Sequence, residues 1–115
     1  MSRRVEQLPE EQMAIPPSER EAKAFFHRLL NRVRGFEAEL SAGEELLLTS
    51  SSAPGVRILQ IGKNGEAFFF SGVDSEGRDV LFVQHYTQMK VMATVVVPPK
   101  GVEPRPIGFL DRDDA

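Results

Sequence analysis

The first regular spacing of apolar residues along the chain is that of a helix. From Ser18 onward, apolar residues recur every three or four positions, which places them on one stripe of an α-helix. Ser18 and Glu21 form a capping-box pattern, in which the two side chains satisfy free backbone N–H groups at the start of a helix. Gly43 can take the left-handed conformation that commonly ends one. We therefore predict an amphipathic helix over residues 18–42.

The spacing then changes to the alternation of a β-hairpin centred on Asn64-Gly65. This pair readily takes the left-handed angles of a tight turn, and apolar, strand-like runs lie on both sides of it. The predicted turn places Lys63 opposite Glu66, where the two charges attract. We regard this hairpin as the centre of the fold.

Three further strands follow from the same alternation. The first covers residues 44–50, the fourth covers 79–85 after a turn at 74–77, and the fifth covers 89–97. A short helical turn beginning at Thr87 is an alternative for the start of the fifth strand. The predicted fold is α+β: one N-terminal amphipathic helix packed on an antiparallel meander of about five strands, with an extended Pro-rich C-terminal arm.

The 115 residues are enough for one domain with its own core. Residues 1–17 are polar and contain three prolines, so we predict an N-terminal arm. Residues 18–110 form the domain, with the sheet over 44–97 and a docking arm over 98–110. An acidic tail, 111–115, follows.

The C-terminal arm carries an isolated apolar cluster, which predicts that the arm docks on a surface. Its members are Ile107, Phe109 and Leu110. Docking in cis would make the arm a short edge strand of its own sheet. Docking on another chain is the alternative.

Both faces of the predicted sheet carry large apolar side chains. Because side chains alternate along a strand, Phe68 and Phe70 share one face, which we assign to the helix. The predicted members of the second face are Leu59, Ile61, Phe69, Met92 and Val96. Monomers seldom expose such a patch, so we expect the arms, a second copy or a partner protein to cover it.

Three stretches carry a family resemblance. They are Gln84-His85-Tyr86-Thr87-Gln88-Met89, Phe69-Phe70-Ser71-Gly72 and Arg105-Pro106-Ile107-Gly108-Phe109. They resemble a family of small bacterial proteins with a domain of unknown function, whose members share a Gln-His-x-Ser/Thr-Gln stretch and an Arg-x-Ile-Gly-Phe ending. The resemblance covers about residues 44–110. It implies a shared fold and supplies no activity.

Few residue types suit catalysis. The chain has no cysteine and no Gly-x-Ser-x-Gly motif, and only His27 and His85 could act as a base. His27 lies on the polar face of the predicted helix. His85 stands among side chains that could bind a ligand, namely Gln84, Tyr86 and Gln88. A structural histidine that holds a loop is the alternative, and we predict no catalytic residue, no cofactor and no metal site.

Charge and hydropathy limit the partners. The net charge is −3, and residues 44–97 carry six acidic against four basic side chains, so we do not expect nucleic acid binding. No apolar run is long enough for a membrane span, and we expect a cytoplasmic protein.

Three functions are compatible with these features. The first is a small non-enzymatic protein-binding module that acts through the apolar sheet face and the C-terminal arm. It would work as a homodimer or in a complex with another protein, and an inhibitor of that protein is one form that such a module could take. The second is a small-molecule sequestering protein with a pocket near His85, and the third is a small enzyme that depends on His85.

Overall fold

One helix lies on one face of a six-stranded sheet in the computed structural model, which describes residues 17–99 and 105–114. The elements are α1 (Pro17–Ala38), β1 (Glu45–Ser50), β2 (Ala53–Asn64), β3 (Ala67–Val73), β4 (Asp79–His85), β5 (Met92–Val96) and β6 (Gly108–Asp111). Single 3-10 turns follow β4 and β6, at Tyr86–Gln88 and Arg112–Asp114. The α+β class and the N-terminal helix are confirmed. The predicted arm at residues 1–16 lies outside the described residues.

The strand order is β4-β3-β2-β1-β5, and β6 pairs with β2. Strands β1 to β4 form the predicted antiparallel meander. Strand β5 returns to the far side of β1, and residues 89 and 91 of the connection pack against the core on the way. Strand β6 runs parallel to the second half of β2, beyond the part of β2 that pairs with β1.

The helix ends earlier than predicted, at Ala38 instead of residue 42. The chain after it forms a separate turn, in which the Glu44 N–H donates to the Ser41 carbonyl at 3.0 Å. Gly43 has a φ of 82° and serves this turn. The Glu44 carboxylate accepts the Ser41 N–H at 2.7 Å, so the turn is stabilised from both sides.

Aromatic side chains hold the helix to the sheet. The ring of Phe26 meets those of Phe68 and Phe109 edge-to-face, with ring centroids 5.5 and 5.7 Å apart. Phe70 stacks on Phe82 at 4.7 Å. Phe68 and Phe70 are fully buried under α1, as predicted. Each such side chain contributes on the order of 2 kcal/mol through removal of apolar surface from water.

The turn of the central hairpin lies one residue later than predicted. Asn64 pairs with Ala67, so the loop residues are Gly65 and Glu66, and Gly65 supplies the positive φ of 61°. Lys63 therefore faces Phe68 and not Glu66. This register turns the Lys63 side chain toward the helix-covered face.

A β-bulge interrupts β2. Ile58 pairs with Gly72, and Gln60 pairs with the adjacent Ser71. Leu59 is therefore the extra residue of the bulge. The backbones are so close here that a Cβ on Gly72 would lie 1.9 Å from the Arg57 carbonyl oxygen. Glycine is thus required at position 72 by this close approach.

The bulge corrects one prediction about the second face. Because an extra residue reverses the alternation, Leu59 is exposed whereas Ile61 pairs with Phe70 and lies in the core with 0% exposure. The assignment of Ile61 to the second face was wrong.

The C-terminal arm docks on its own chain. Residues 108–111 pair with residues 60–63 of β2, and Ile107 is buried in the core. Phe109 points toward α1, where its ring lies 5.3 Å from the Arg34 guanidinium carbon. Leu110 is 39% exposed on the opposite face. Of the three arm residues, Leu110 is the most exposed, Phe109 is partly buried and Ile107 is buried.

Candidate functional site

The candidate site is the open face, the face of the sheet that α1 does not cover. Strand alternation places five exposed apolar residues on it. They are Leu59 (38% exposed), Leu81 (67%), Val83 (52%), Met92 (65%) and Leu110 (39%). Phe69 lies among them and is half-buried. Of the residues predicted for an interface, Leu59, Phe69, Met92 and Leu110 lie on the open face, whereas Ile61 and Ile107 are buried in the core and Phe109 packs against it.

Two adjoining cavities make a groove along this face. The larger, about 620 Å³, lies between β2, β3 and β4 and the arm residues 105–108. The smaller, about 320 Å³, lies between Phe69, Leu81 and Leu110. Gln60, Ser71 and Leu81 line both cavities, so the two are continuous. The groove has apolar walls and a few polar groups, the composition of a binding site for another molecule.

A buried ion pair forms the polar end of the groove. One oxygen of Glu45, a residue that is 3% exposed, accepts a hydrogen bond from Arg57 Nη2. The other accepts the Arg105 backbone N–H at 2.7 Å. Burial alone would raise the pKa of the Glu45 carboxyl. The hydrogen bonds from Arg57 and Arg105 and the charges of these two arginines outweigh burial, so the net effect is a lowered pKa. The Nε atom of Arg57 is buried and has no hydrogen-bond partner among residues 17–99 and 105–114.

His85 forms a structural cluster at the end of β4. Its Nδ1 accepts the Thr87 backbone N–H at 3.3 Å and lies 2.7 Å from the Thr87 hydroxyl oxygen, so His85 caps the 3-10 turn. Its Nε2 lies 2.8 Å from Glu66 Oε1. This arrangement assigns the proton of the neutral ring to Nε2, facing Glu66. The hydrogen bond from His85, followed by one from Ser18, lowers the pKa of Glu66.

Such a cluster is poorly suited to general-base catalysis. Nδ1 of His85 already accepts from the backbone, and Nε2 is held by Glu66, so neither nitrogen is free to take a proton from a substrate. The geometry matches the predicted alternative of a structural histidine. His85 ties the β2-β3 turn to the chain that follows β4.

The predicted ligand residues do not form a pocket with His85, although the Tyr86 ring lies beside the His85 ring with centroids 4.8 Å apart. Gln84 donates to the Ser52 hydroxyl at 2.8 Å, and the Tyr86 hydroxyl lies 3.4 Å from Glu21 Oε1. Burial, with the nearby charge of Glu21, raises the pKa of Tyr86. Gln88 is exposed. None of Gln84, His85, Tyr86 and Gln88 lines either cavity of the groove.

Sequence reasoning missed a buried lysine under the arm. Lys63 is 1% exposed, and its Nζ forms an ion pair with Asp113 and lies 3.5 Å from Asp111 Oδ1. Asp113 also accepts the Gly65 N–H at 2.9 Å. The hydrogen bond from Lys63 is the main cause that lowers the pKa of Asp113. If the turn is placed at Gly65-Glu66, Lys63 lies opposite Phe68 and its side chain points to the same, helix-covered face. A turn predicted one residue later would therefore have indicated that Lys63 is buried.

Within the part of the chain that the structure describes, no group of three or more metal-ligating side chains is arranged to hold a metal ion. No helix there is long and apolar enough to cross a membrane. In comparisons with known proteins, no family model, no curated protein and no solved structure matched the chain. The family resemblance of residues 44–110 therefore stays a prediction.

Proposed function

We propose that the protein is a non-enzymatic protein-binding module whose partner packs on the open face. The observation that carries this proposal is the set of apolar side chains that line the groove and remain exposed, among them Leu59 at 38% and Leu110 at 39% exposure. Contiguous apolar surface of this kind marks interaction sites in proteins of this size. A partner that covered it would remove the apolar side chains from water, which is the main driving force of association.

The layout of the open face supports the proposal. Its apolar centre is bordered by polar groups, with Arg57 and Arg105 at one end of the groove and Arg112 at the other. An apolar centre with a polar rim is the usual anatomy of a protein interface. The arm adds Leu110 and one wall of the groove to this surface.

The expectations of a cytoplasmic location and of membership in the resembled bacterial family belong with this proposal. The absence of cysteine suits a reducing compartment. An inhibitor of another protein is one role that such a module could have. Neither cavity of the groove is lined by His85, Tyr86 or Gln88, which argues against a small-molecule pocket around His85.

The proposal is tested with a double variant, Leu59→Ser with Leu110→Ser. Both side chains are exposed, so the fold should survive, and we expect capture of a bound protein by the tagged variant to fall about tenfold or more. The measurement is quantitative co-purification against the wild-type chain, with circular dichroism to verify the fold.

The matched control is Phe36→Ser, which removes a 45% exposed apolar side chain from α1, on the other layer of the molecule. It should leave capture unchanged. Equal capture by the double variant and the wild-type chain would refute binding through the open face.

A further inference from the structure

Strand β4 is an edge of the sheet and is open to pairing. It pairs with β3 on one side, and no strand of the described residues pairs with its other side. Its sequence, Asp-Val-Leu-Phe-Val-Gln-His, contains no lysine and no proline, and its pairing with β3 shows no bulge. Edge strands usually carry one of these features because they block pairing with another chain.

The hydrogen bonds at the two ends of β4 fix which backbone groups face outward. The Tyr86 N–H donates to the Glu66 carbonyl at 3.0 Å, and the Asp74 N–H donates to the Arg78 carbonyl at 3.0 Å. Because hydrogen-bonded residues alternate in an antiparallel ladder, the even-numbered residues of β4 bond to β3. The residues with outward N–H and C=O groups are Asp79, Leu81, Val83 and His85.

We propose that the β4 edges of two copies of this chain pair antiparallel about a twofold axis at Phe82. In this register Leu81 lies opposite Val83 of the second copy, and Asp79 lies opposite the second copy's His85. Every residue of β4 then has a partner. All outward N–H and C=O groups form hydrogen bonds, and the two sheets become one.

The side chains select a second copy and this register. Leu81 and Val83, which are 67% and 52% exposed, would cover each other across the axis on the open face. Each Asp79 would lie opposite His85 of the second copy, so the two Asp79 carboxylates stay at opposite ends of the paired strands. A register shifted to an axis at Leu81 would place Asp79 opposite Val83 and leave His85 unpaired.

Among the described residues, the other strands with an unpaired edge are β6, which has only four residues, and β5. Strand β5 is also less suited to self-pairing than β4. It has five residues against seven in β4, and none of the five is charged to set a register. The β4 pairing goes beyond the proposed function, since it uses the edge of the sheet and leaves Leu59, Phe69 and Leu110 free to bind a partner.

Oligomeric state gives the first test. Light scattering after gel filtration should give twice the monomer mass for the wild-type chain at micromolar concentration. Val83→Lys should raise the dissociation constant of the dimer about tenfold or more, because lysine on an edge strand opposes pairing. The matched control is Val95→Lys, since Val95 is also 52% exposed but lies on β5.

A monomer mass for the wild-type chain would overturn the proposal. Dissociation by Val95→Lys with retention of the dimer by Val83→Lys would also overturn it, because pairing would then run through β5. The Leu59→Ser, Leu110→Ser variant should remain dimeric, so loss of partner capture and loss of the dimer are distinguishable. If Val83→Lys fails to fold, Leu81→Lys replaces it.

Cysteine cross-linking tests the register. The chain has no cysteine of its own. Opposed residues of a hydrogen-bonded pair lie about 5.5 Å apart at Cα, within the range that a disulfide spans. A mixture of Leu81→Cys and Val83→Cys chains should form a disulfide dimer on mild oxidation, in excess over either variant alone. Equal cross-linking in all three samples would contradict an axis at Phe82.

Discussion

At the scale of single residues, the buried Lys63 is the least expected feature. An ammonium group that is 1% exposed has lost most of its hydration, which costs several kcal/mol per ion unless it has charged partners. Asp113 and Asp111 supply these partners, and both lie in the acidic tail that directly follows the C-terminal arm. Lys63 therefore makes the stability of the sheet depend on the docked arm.

This dependence predicts the effect of Asp113→Ala. The variant leaves Lys63 buried with the more distant Asp111, and we expect the free energy of unfolding to fall by about 1–3 kcal/mol, allowing for the 34% exposure of Asp113. Urea unfolding measures this change. Lys63→Met combined with Asp111→Asn in the same background should restore part of the stability, because neither the buried ammonium nor the buried Asp111 carboxylate then remains.

The control for this prediction is Glu76→Ala, which breaks an exposed ion pair with Arg78. Its unfolding free energy should change by less than about 0.5 kcal/mol. A loss of that small size for Asp113→Ala as well would mean that the arm does not stabilise Lys63.

At the scale of elements, β2 organises the sheet because it has three neighbours. Its first half pairs with β1, its second half pairs with β6 on the same edge, and β3 pairs along its other edge. The bulge at Leu59 separates the two halves. It also decides which side chains of β2 enter the core, including Ile61.

The space around two glycines predicts opposite effects of their replacement by alanine on stability. Gly72→Ala brings a Cβ against the Arg57 carbonyl, so we expect a loss of about 2 kcal/mol or more in unfolding free energy. Gly35→Ala places its Cβ in open space on a helix and should gain about 0.5–1 kcal/mol. Thermal or urea unfolding of both variants gives the comparison, and a neutral Gly72→Ala would contradict the close approach.

The elements themselves could be predicted from local patterns, but their register could not. The helix from Ser18 and the strands around Asn64 follow from spacing and turn residues close in sequence. The turn at Gly65-Glu66 and the bulge each shift the alternation of side chains by one residue. The contacts that stabilise these shifts come from residues distant in the chain: Asp113 pairs with Lys63, and Gly72 packs against the backbone of Arg57.

At the scale of the whole molecule, Glu45 joins the sheet to the start of the described arm. Its carboxylate receives Arg57 Nη2 and the Arg105 N–H, so β1, β2 and the arm meet at one buried group. The groove depends on this junction, because arm residues 105–108 form one of its walls.

The lowered pKa of Glu45 predicts acid sensitivity. A carboxyl whose pKa is lower in the folded than in the unfolded chain stabilises the fold above the unfolded pKa, about 4.3 for Glu. That stabilisation is lost as the pH falls through the folded pKa. Urea midpoints measured from pH 7 downward should therefore drop below about pH 4.

Glu45→Gln should flatten this dependence and lower stability at pH 7, because an uncharged amide replaces the partner of Arg57. Hydrogen exchange at the Arg105 amide should accelerate in the same variant. An unchanged pH profile would show that Glu45 does not hold the arm.

The sequence alone determined the α+β class, the N-terminal helix, the helix-covered face of Phe68 and Phe70, and an exposed second face with Leu59, Phe69 and Met92. Each follows from spacing and alternation among neighbours in the chain. Only the tertiary structure decided the positions of Lys63 and Ile61, the parallel docking of the arm and the free edge of β4. These depend on pairing between residues far apart in sequence, since a shift of one residue in register turns every side chain of a strand to the other face.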